Sequence, residues 1–149
     1  VQMMTNIATE TEASHYDDVR PGMPPPAAWE SADVVAEVTA LFASHTKGVS
    51  GILIATLTGR TARRISRFHP ELPIFAATPD LIALRPLNLS YGVRPIHVPM
   101  TKDREGFIRR AVQALRKQRL IGRKASLVIV LGEPWGKAGT ANAVEVRQV

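Results

Sequence analysis

Apolar residues along the chain alternate between short continuous runs and longer segments in which they recur every three or four positions. The mainly apolar runs at 52–55, 73–77, 94–98 and 127–130 predict strands, and the segments between them predict helices. Strands that are apolar along their length and separated by helices favour a parallel sheet covered on both faces. We therefore expect an α/β fold: a three-layer sandwich with a five-stranded, mostly parallel sheet. The last strand, 143–146, alternates its side chains and is expected at an edge, antiparallel.

Three helices are predicted with particular clarity. Residues 2–14 carry one amphipathic stripe, and residues 103–122 form the longest amphipathic segment, with Asp103 as the N-cap and Gly122 as the end. The helix after residue 30 has Ser31 as its expected N-cap and ends near Lys47 and Gly48. Its apolar residues at helical spacing are Val34, Val35, Val38, Leu41 and Phe42.

Prolines divide the chain into three parts. Residues 15–28 include Pro21, Pro24, Pro25 and Pro26, which cannot continue a helix, so this stretch is interpreted as a linker. The helix at 1–14 precedes it, and one α/β domain at 29–149 follows. Because the helical pattern is already under way at Val1, we expect the chain to be a truncation of something longer.

Composition excludes several classes of protein. The 149 residues contain no cysteine, so disulfides and thiolate-bound metals are excluded and a cytoplasmic location is expected. The longest apolar run, 126–131, is too short to span a membrane. A net charge of +6 favours an anionic partner, but with 5% aromatic residues and no nucleic-acid-binding motif, nucleic acid is not the expected one. Four scattered histidines lack metal-ligand spacing, so no metal site is expected.

The turn after the first apolar strand combines groups that can bind a phosphate. Thr56, Thr58 and Thr61 supply hydroxyls, Gly59 allows the backbone to approach closely, and Arg60 supplies a positive charge. The turn also leads into the first turn of a helix, whose backbone N–H groups favour anions. The alternative interpretation is that threonine and glycine serve only for capping and turn geometry.

A second glycine-rich loop follows the fourth predicted strand and lies on the same rim of a parallel sheet. With Lys137 and Thr140 it could hold a sugar phosphate from the opposite side, although a plain hairpin connection is the alternative. The patterns typical of nucleoside triphosphate hydrolysis and of dinucleotide binding are absent. The candidate binding residues in this loop are Trp135, Gly136, Lys137, Gly139 and Thr140.

Several runs resemble the carboxy-terminal domain of the pyruvate kinases. Residues 51–63 (GILIATLTGRTAR), 66–70 and 73–78 resemble its first strand, turn, helix and second strand. Residues 92–95 are similar to the segment before its third strand, and 128–146 to its closing strand, glycine loop and final strand. Residues 1–12 look like the last helix of the catalytic barrel that precedes the domain in that family.

The resemblance implies a regulatory domain that binds an allosteric effector, a sugar phosphate or a nucleoside monophosphate, and contributes to a tetramer. By this resemblance Thr56, Thr58, Gly59, Arg60 and Thr61 would hold the effector phosphate. The Trp-Arg-Pro-Gly-Ser-Gly pattern of the branch activated by a sugar bisphosphate is not reproduced, and Leu57 replaces a residue that is often polar.

The resemblance also concerns catalysis. The family's catalytic residues, with their magnesium and potassium ions, lie on the barrel, so this chain is expected to hold no catalytic residue and no cofactor and to be inactive alone. Its expected partners are that barrel, a phosphorylated effector and further copies of itself. Two alternatives remain open: a stand-alone sugar-phosphate- or nucleotide-binding homologue, and a basic nucleic-acid-binding module.

Overall fold

The computed structural model describes residues 2–14, 29–137 and 139–149, so the proposed linker at 15–28 lies outside the described residues. The described residues form five helices and five strands, and from residue 31 to residue 132 helices and strands alternate as the sequence predicts. The helices are α1 (Gln2–Glu12), α2 (Ser31–His45), α3 (Arg60–Ser66), α4 (Leu81–Leu87) and α5 (Arg104–Lys117). The strands are β1 (Val49–Ala55), β2 (Ile74–Thr78), β3 (Val93–His97), β4 (Ser126–Gly132) and β5 (Ala141–Gln148). None of these helices is long and apolar enough to cross a membrane.

The five strands form one sheet in the order β3-β2-β1-β4-β5. The first four are parallel, and β5 pairs antiparallel with β4 at the edge, which confirms the predicted α/β fold. The chain runs outward from β1 to β2 and β3, then crosses back to place β4 on the other side of β1. The carboxyl ends of β1 and β4 therefore form the topological switch point, where open α/β sheets commonly bind ligands.

Both faces of the sheet are covered, and alternate residues of each strand feed two separate cores. On one face Leu53, Phe75 and Ile129 pack beneath α5, whose buried residues include Phe107 and Leu115. The opposite core contains the intervening strand residues together with buried residues of three helices: Ala36 and Ala43 of α2, Ala62 and Ile65 of α3, and Leu87 of α4. The result is the three-layer arrangement expected from strands that are apolar on both sides.

Two predicted helix boundaries were wrong. The N-cap of α2 is Glu30 and not Ser31, because the Asp33 carboxylate accepts the Glu30 backbone N–H at 3.0 Å and so closes the first turn one residue earlier. Helix α5 ends at Lys117, well before Gly122, and Arg119 adopts the left-handed conformation with φ 57°.

The N-cap predicted for α5 is confirmed and gives a stability prediction. The Asp103 carboxylate accepts the backbone N–H of Gly106 at 2.7 Å, satisfying a donor that the helix itself leaves unpaired. We expect Asp103→Ala to lower the free energy of unfolding by about 1 kcal/mol in urea denaturation, because the N–H loses its acceptor. Asp103→Ser keeps an acceptor and should lose less; equal losses for the two variants would contradict this role.

Helix α2 does not bury the stripe of large apolar residues that its sequence presents. Its buried residues are Ala36, Thr39 and Ala43, and the Thr39 hydroxyl is satisfied by the Val35 carbonyl at 2.7 Å. Val34, Leu41 and Phe42 point outward with 47%, 51% and 43% of their surface exposed. In α1, likewise, no residue is buried. Both helices therefore present apolar side chains to their surroundings.

The β3 edge of the sheet has few free donors. The Gly92 carbonyl accepts a hydrogen bond from β2, and the Val98 N–H donates one to β2. The backbone N–H and C=O groups of even-numbered residues along β3 therefore point toward β2, and those of odd-numbered residues point away from the sheet. Of the outward residues, Val93 donates its N–H to Ser90 at 3.2 Å and Pro95 has no N–H. Along this strand only His97 keeps an outward backbone donor. Reducing the number of free donors in this way is a common protection of edge strands.

Candidate anion-binding site

A pocket lies at the switch point, beyond the carboxyl ends of β1 and β4. Ile54 of β1 pairs with Val130 of β4, so the loops that follow the two strands leave the sheet side by side. Both loops line the pocket, as the sequence predicts for one rim of a parallel sheet. From the predicted set it is lined by Thr56, Thr58, Arg60, Thr61, Trp135, Gly136, Lys137, Gly139 and Thr140.

The first loop owes its shape to Gly59. This residue is the N-cap of α3 with φ 74°, and its N–H donates to the Thr56 hydroxyl at 2.9 Å. It does not line the pocket but packs inward, where an added Cβ would lie 2.8–3.0 Å from atoms of the Leu87 side chain. The Thr56 hydroxyl accepts from Gly59, so its own proton remains free to be donated to a ligand.

A buried threonine that sequence reasoning missed also holds this loop. Thr78, at the carboxyl end of β2, donates its hydroxyl to the Leu57 carbonyl at 3.2 Å and accepts the Asp80 N–H at 3.1 Å. It is fully buried, so both bonds replace contacts with water. A threonine at the end of a buried strand was the only available signal in the sequence.

The second loop is closed tightly at its base. A Cβ on Gly132 would lie 2.6 Å from the Thr140 hydroxyl and 2.9 Å from its carbonyl oxygen, so the two ends of the loop touch. Between them the Lys137 N–H donates to Pro134, and Gly136 and Gly139 have φ 82° and 79°. The Thr140 hydroxyl donates to the Lys137 carbonyl at 2.9 Å. Its proton therefore braces the loop, whereas the sequence predicts that it faces a ligand.

Hydrogen bonds and an ion pair with residues outside the second loop fix that loop in place. The Asn142 amide makes two hydrogen bonds of 2.9 Å with the backbone of Glu133, and the Glu133 carboxylate pairs with Arg104 at 2.7 Å. The Trp135 indole N–H donates to the Thr101 carbonyl at 3.2 Å. Arg104 and Thr101 belong to the start of α5 and the segment before it, so the loop is tied to the layer that covers one face of the sheet.

An ion pair joins β5 to the same end of α5. Arg147 makes two hydrogen bonds with Glu105, at 2.6 and 3.1 Å. These bonds lower the pKa of the Glu105 carboxyl against the opposing effect of desolvation, so the carboxylate remains charged at neutral pH. The strand that begins after the second loop is thus anchored by charge as well as by its pairing with β4.

The pocket has the electrostatic character of an anion site. Arg60 lines the pocket from the side of the first loop and Lys137 from the second, and these are the two basic side chains among the described lining residues. Among the described lining residues there is no aspartate or glutamate. The hydroxyls of Thr56, Thr58 and Thr61 add donors beside Arg60. An anion placed between the loops would therefore meet cations and donors from two sides.

An apolar wall completes the pocket, and most of it was not predicted. Pro79, Met100 and Phe107 come from three further segments, and Trp135 joins them by packing against Phe107 with ring centroids 5.2 Å apart. These residues follow strands β2 and β3 or lie on α5, so only the completed sheet brings them together. In the sequence each was indistinguishable from an ordinary core or turn residue.

Comparison with known protein families shows to which family this chain is similar. The family model for the pyruvate kinase alpha/beta domain matches residues 33–147, which includes both loops, the first four strands and all but the last residue of β5. The chain belongs to this family. The resemblance stated for the carboxy-terminal domain of the pyruvate kinases is thereby confirmed.

Individual relatives found by sequence similarity are also pyruvate kinases. A pyruvate kinase of Agrobacterium vitis is 33% identical over 99% of this chain and 31% of its own length. Pyruvate kinases of Clostridium acetobutylicum and Sporosarcina psychrophila are 29% and 28% identical, with this chain covering 32% and 25% of their lengths. The chain thus spans about a third or less of the pyruvate kinases it matches.

Proposed function

We propose that this pyruvate kinase alpha/beta domain binds a phosphorylated small-molecule effector in the pocket between its two loops. The observation that carries the proposal is the convergence of Arg60 and Lys137 on a pocket whose described lining has no carboxylate. A phosphate monoester carries about 1.5 to 2 negative charges at neutral pH and accepts several hydrogen bonds. The cations and the threonine hydroxyls offer the matching charges and donors.

The parent activity and the catalytic partner are part of the same proposal. The relatives are pyruvate kinases, so the domain would regulate transfer of a phosphoryl group from phosphoenolpyruvate to ADP on a catalytic barrel. Helix α1 supports this, because Met3, Met4 and Ile7 leave 75%, 75% and 58% of their surface exposed on one stripe. Such a stripe fits a helix that packs against a barrel, and the chain alone is expected to be inactive.

Assembly with further copies of the chain is the second element. The outward Val34, Leu41 and Phe42 form an apolar face on α2, which is the kind of surface that subunit interfaces cover. Helix α2 lies beside β5, so an interface here would include one edge of the sheet. Tetramer formation is proposed on this basis and on the resemblance to the family.

Isothermal titration calorimetry on the chain tests effector binding. We expect at least one of fructose 1,6-bisphosphate, glucose 6-phosphate, ribose 5-phosphate and AMP to bind with one site per chain. Glucose and adenosine are the matched controls without phosphate and should give no measurable binding, because the pocket's charges would have no anion to pair with. Absence of binding by all four phosphates would overturn the proposed function.

A further inference from the structure

We propose that the exposed face of α5, together with the segment after it, binds double-stranded DNA through the phosphate backbone. This surface is separate from the pocket between the two loops, and its role does not depend on what that pocket binds. The surface, named the basic face, consists of seven exposed cations, none of which lines the pocket: Arg109, Arg110, Arg116, Lys117, Arg119, Arg123 and Lys124.

The excess positive charge of the chain is concentrated on the basic face. Residues 106–124 contain seven of the 19 basic residues and no acidic one. The other 12 basic residues and the 13 acidic residues nearly cancel, so the net charge of +6 arises from this segment. Basic residues clustered on one face or along a helix are the electrostatic pattern of proteins that bind nucleic acid.

The cations of the basic face are not neutralised by carboxylates within the described residues. None of the seven takes part in a salt bridge there. The two acidic residues that begin the same segment are already engaged, because Asp103 accepts the Gly106 N–H and Glu105 pairs with Arg147. The seven positive charges are therefore available to a partner.

Helix stability explains only part of this pattern. Arg116 and Lys117 lie in the last turn of α5, where cations interact favourably with the helix dipole, and Arg116 also donates to the Arg123 carbonyl at 2.9 Å. Arg109 and Arg110 lie in the middle of the helix, where the dipole has little effect. Their presence on the exposed side calls for a different explanation, which an anionic partner supplies.

Helix α5 forms a single ridge on its side of the sheet. Of helices α2 to α5, it alone contributes buried residues to the core on that side. A groove lies on each flank: one beside the end of β5 includes Arg116 and Arg147, the other beside the segment before α5 includes Lys102 and Arg110, and Arg109 lines both. An α-helix is about 10–12 Å across and the major groove of B-form DNA is about 12 Å wide, so the ridge fits that groove. The narrow major groove of duplex RNA does not admit it.

The chemistry of the basic face favours phosphates over other anionic groups. Five of the seven cations are arginines, whose guanidinium groups bind phosphate oxygens with paired hydrogen bonds. No large apolar side chain is exposed between residues 102 and 124, so the face lacks the anchors of a protein interface and the inserting groups of a membrane-bound helix.

The low aromatic content of the chain bears on bases and not on phosphates. Phe107 is the one aromatic residue between 102 and 124, and it is buried, so the basic face offers no ring on which a base could stack. Phosphate contacts need no stacking and supply most of the affinity when binding is independent of sequence. The face is therefore suited to a duplex, whose phosphates are densely spaced and whose bases are already stacked.

Fluorescence anisotropy with a labelled DNA duplex of about 20 base pairs, longer than the ridge, tests the proposal on the whole chain. With about five phosphate contacts, we expect a slope of log affinity against log salt concentration of about −4 to −5. Affinity should then fall several hundredfold between about 50 and about 200 mM salt. Single-stranded DNA and duplex RNA of the same length should bind at least about fivefold more weakly. No duplex binding at about 50 mM salt, with protein up to about 100 μM, would overturn the inference.

The double variant Arg109→Gln/Arg110→Gln tests whether the basic face is the binding site. Both residues are exposed, so the fold should be kept, which circular dichroism checks. We expect the affinity for duplex DNA to fall at least about tenfold and the salt slope to become shallower by about 2, one for each phosphate contact removed. Arg63→Gln/Arg67→Gln is the matched control, because it removes the same charge from exposed positions of α3 and its C-cap, a helix packed on the opposite side of the sheet. Its affinity should change by less than about twofold, and equal losses in the two double variants would refute the assignment.

Three further measurements distinguish other sites and other partners. Arg60→Gln should leave DNA affinity within about twofold of the unmodified chain, because the pocket is a separate site; a loss as large as that of Arg109→Gln/Arg110→Gln would move the DNA to the pocket and contradict the inference. Vesicles of phosphatidylglycerol and phosphatidylcholine, or polyglutamate, that bound more tightly than the duplex at equal salt would point to a membrane or an acidic protein instead. Duplex RNA that bound as tightly as DNA would rule out docking in the major groove.

Discussion

Arg60→Gln is expected to lower the affinity of the pocket for its tightest-binding phosphate ligand by about 10- to 100-fold. A hydrogen bond to a charged group contributes roughly 1.5–3 kcal/mol, and Arg60 is the one cation that the first loop contributes to the lining. Glutamine is shorter than arginine but keeps a polar group that can donate a hydrogen bond, and it removes the charge. Calorimetric titration of the variant and the unmodified chain with the same ligand measures the effect.

Arg63 provides the matched control. It lies one turn later on α3, is exposed, and does not line the pocket. Arg63→Gln changes the net charge of the chain by the same amount, so any loss caused by the overall field appears in both variants. We expect its ligand affinity to stay within about twofold of the unmodified chain, because screening weakens distant charges. Equal losses in the two variants would show that Arg60 does not contact the phosphate.

Gly59→Ala is expected to lower the free energy of unfolding by roughly 3 kcal/mol, from two causes that act together. The residue has φ 74°, where a side chain costs on the order of 1–2 kcal/mol. Its Cβ would also lie 2.8–3.0 Å from three atoms of Leu87, which is 1% exposed and cannot swing into solvent. Overpacking of this kind costs about 1–3 kcal/mol. Urea denaturation followed by circular dichroism measures the change.

Gly48 separates the two causes. It has φ 79°, and nothing lies within 4 Å of an added Cβ, so Gly48→Ala introduces the backbone strain without the overlap. We expect this control to lose only about 1 kcal/mol. If the two variants were equally stable, the contact between the first loop and α4 would not be the close fit described above. Loss of ligand binding in Gly59→Ala at temperatures where it remains folded would tie that fit to the pocket.

The fold was predictable because its strongest signals are local. Runs such as 52–55 and 127–130 are apolar at every position, which a strand covered on both faces requires. The two loops could be found for a related reason, since glycines with positive φ, such as Gly59 and Gly136, mark turns that side chains disfavour. Parallel strands then place the loops after them on one rim without further information.

Two parts could not be predicted because they depend on contacts across the sheet. The sequence of α2 offers large apolar residues as its buried face, yet small residues such as Ala36 and Ala43 are buried because the helix lies close to its neighbours. The apolar wall of the pocket could not be predicted for the same reason, because Met100 and Phe107 come to line the pocket only when β3 and α5 are in place. Thr140 shows the limit within a loop: its residue type predicted a donor, but not that the Lys137 backbone carbonyl would accept its hydrogen bond.

The proline of the β3 edge has a consequence for self-association. With Pro95 and the internally bonded Val93 facing outward, that edge offers an approaching strand few backbone donors, whereas β5 at the other edge has no proline. A sheet that can be extended at one edge can join a second copy there, but cannot add a third in the same way. Strand-to-strand growth through β5 would therefore stop at a closed pair, an arrangement that disfavours fibres.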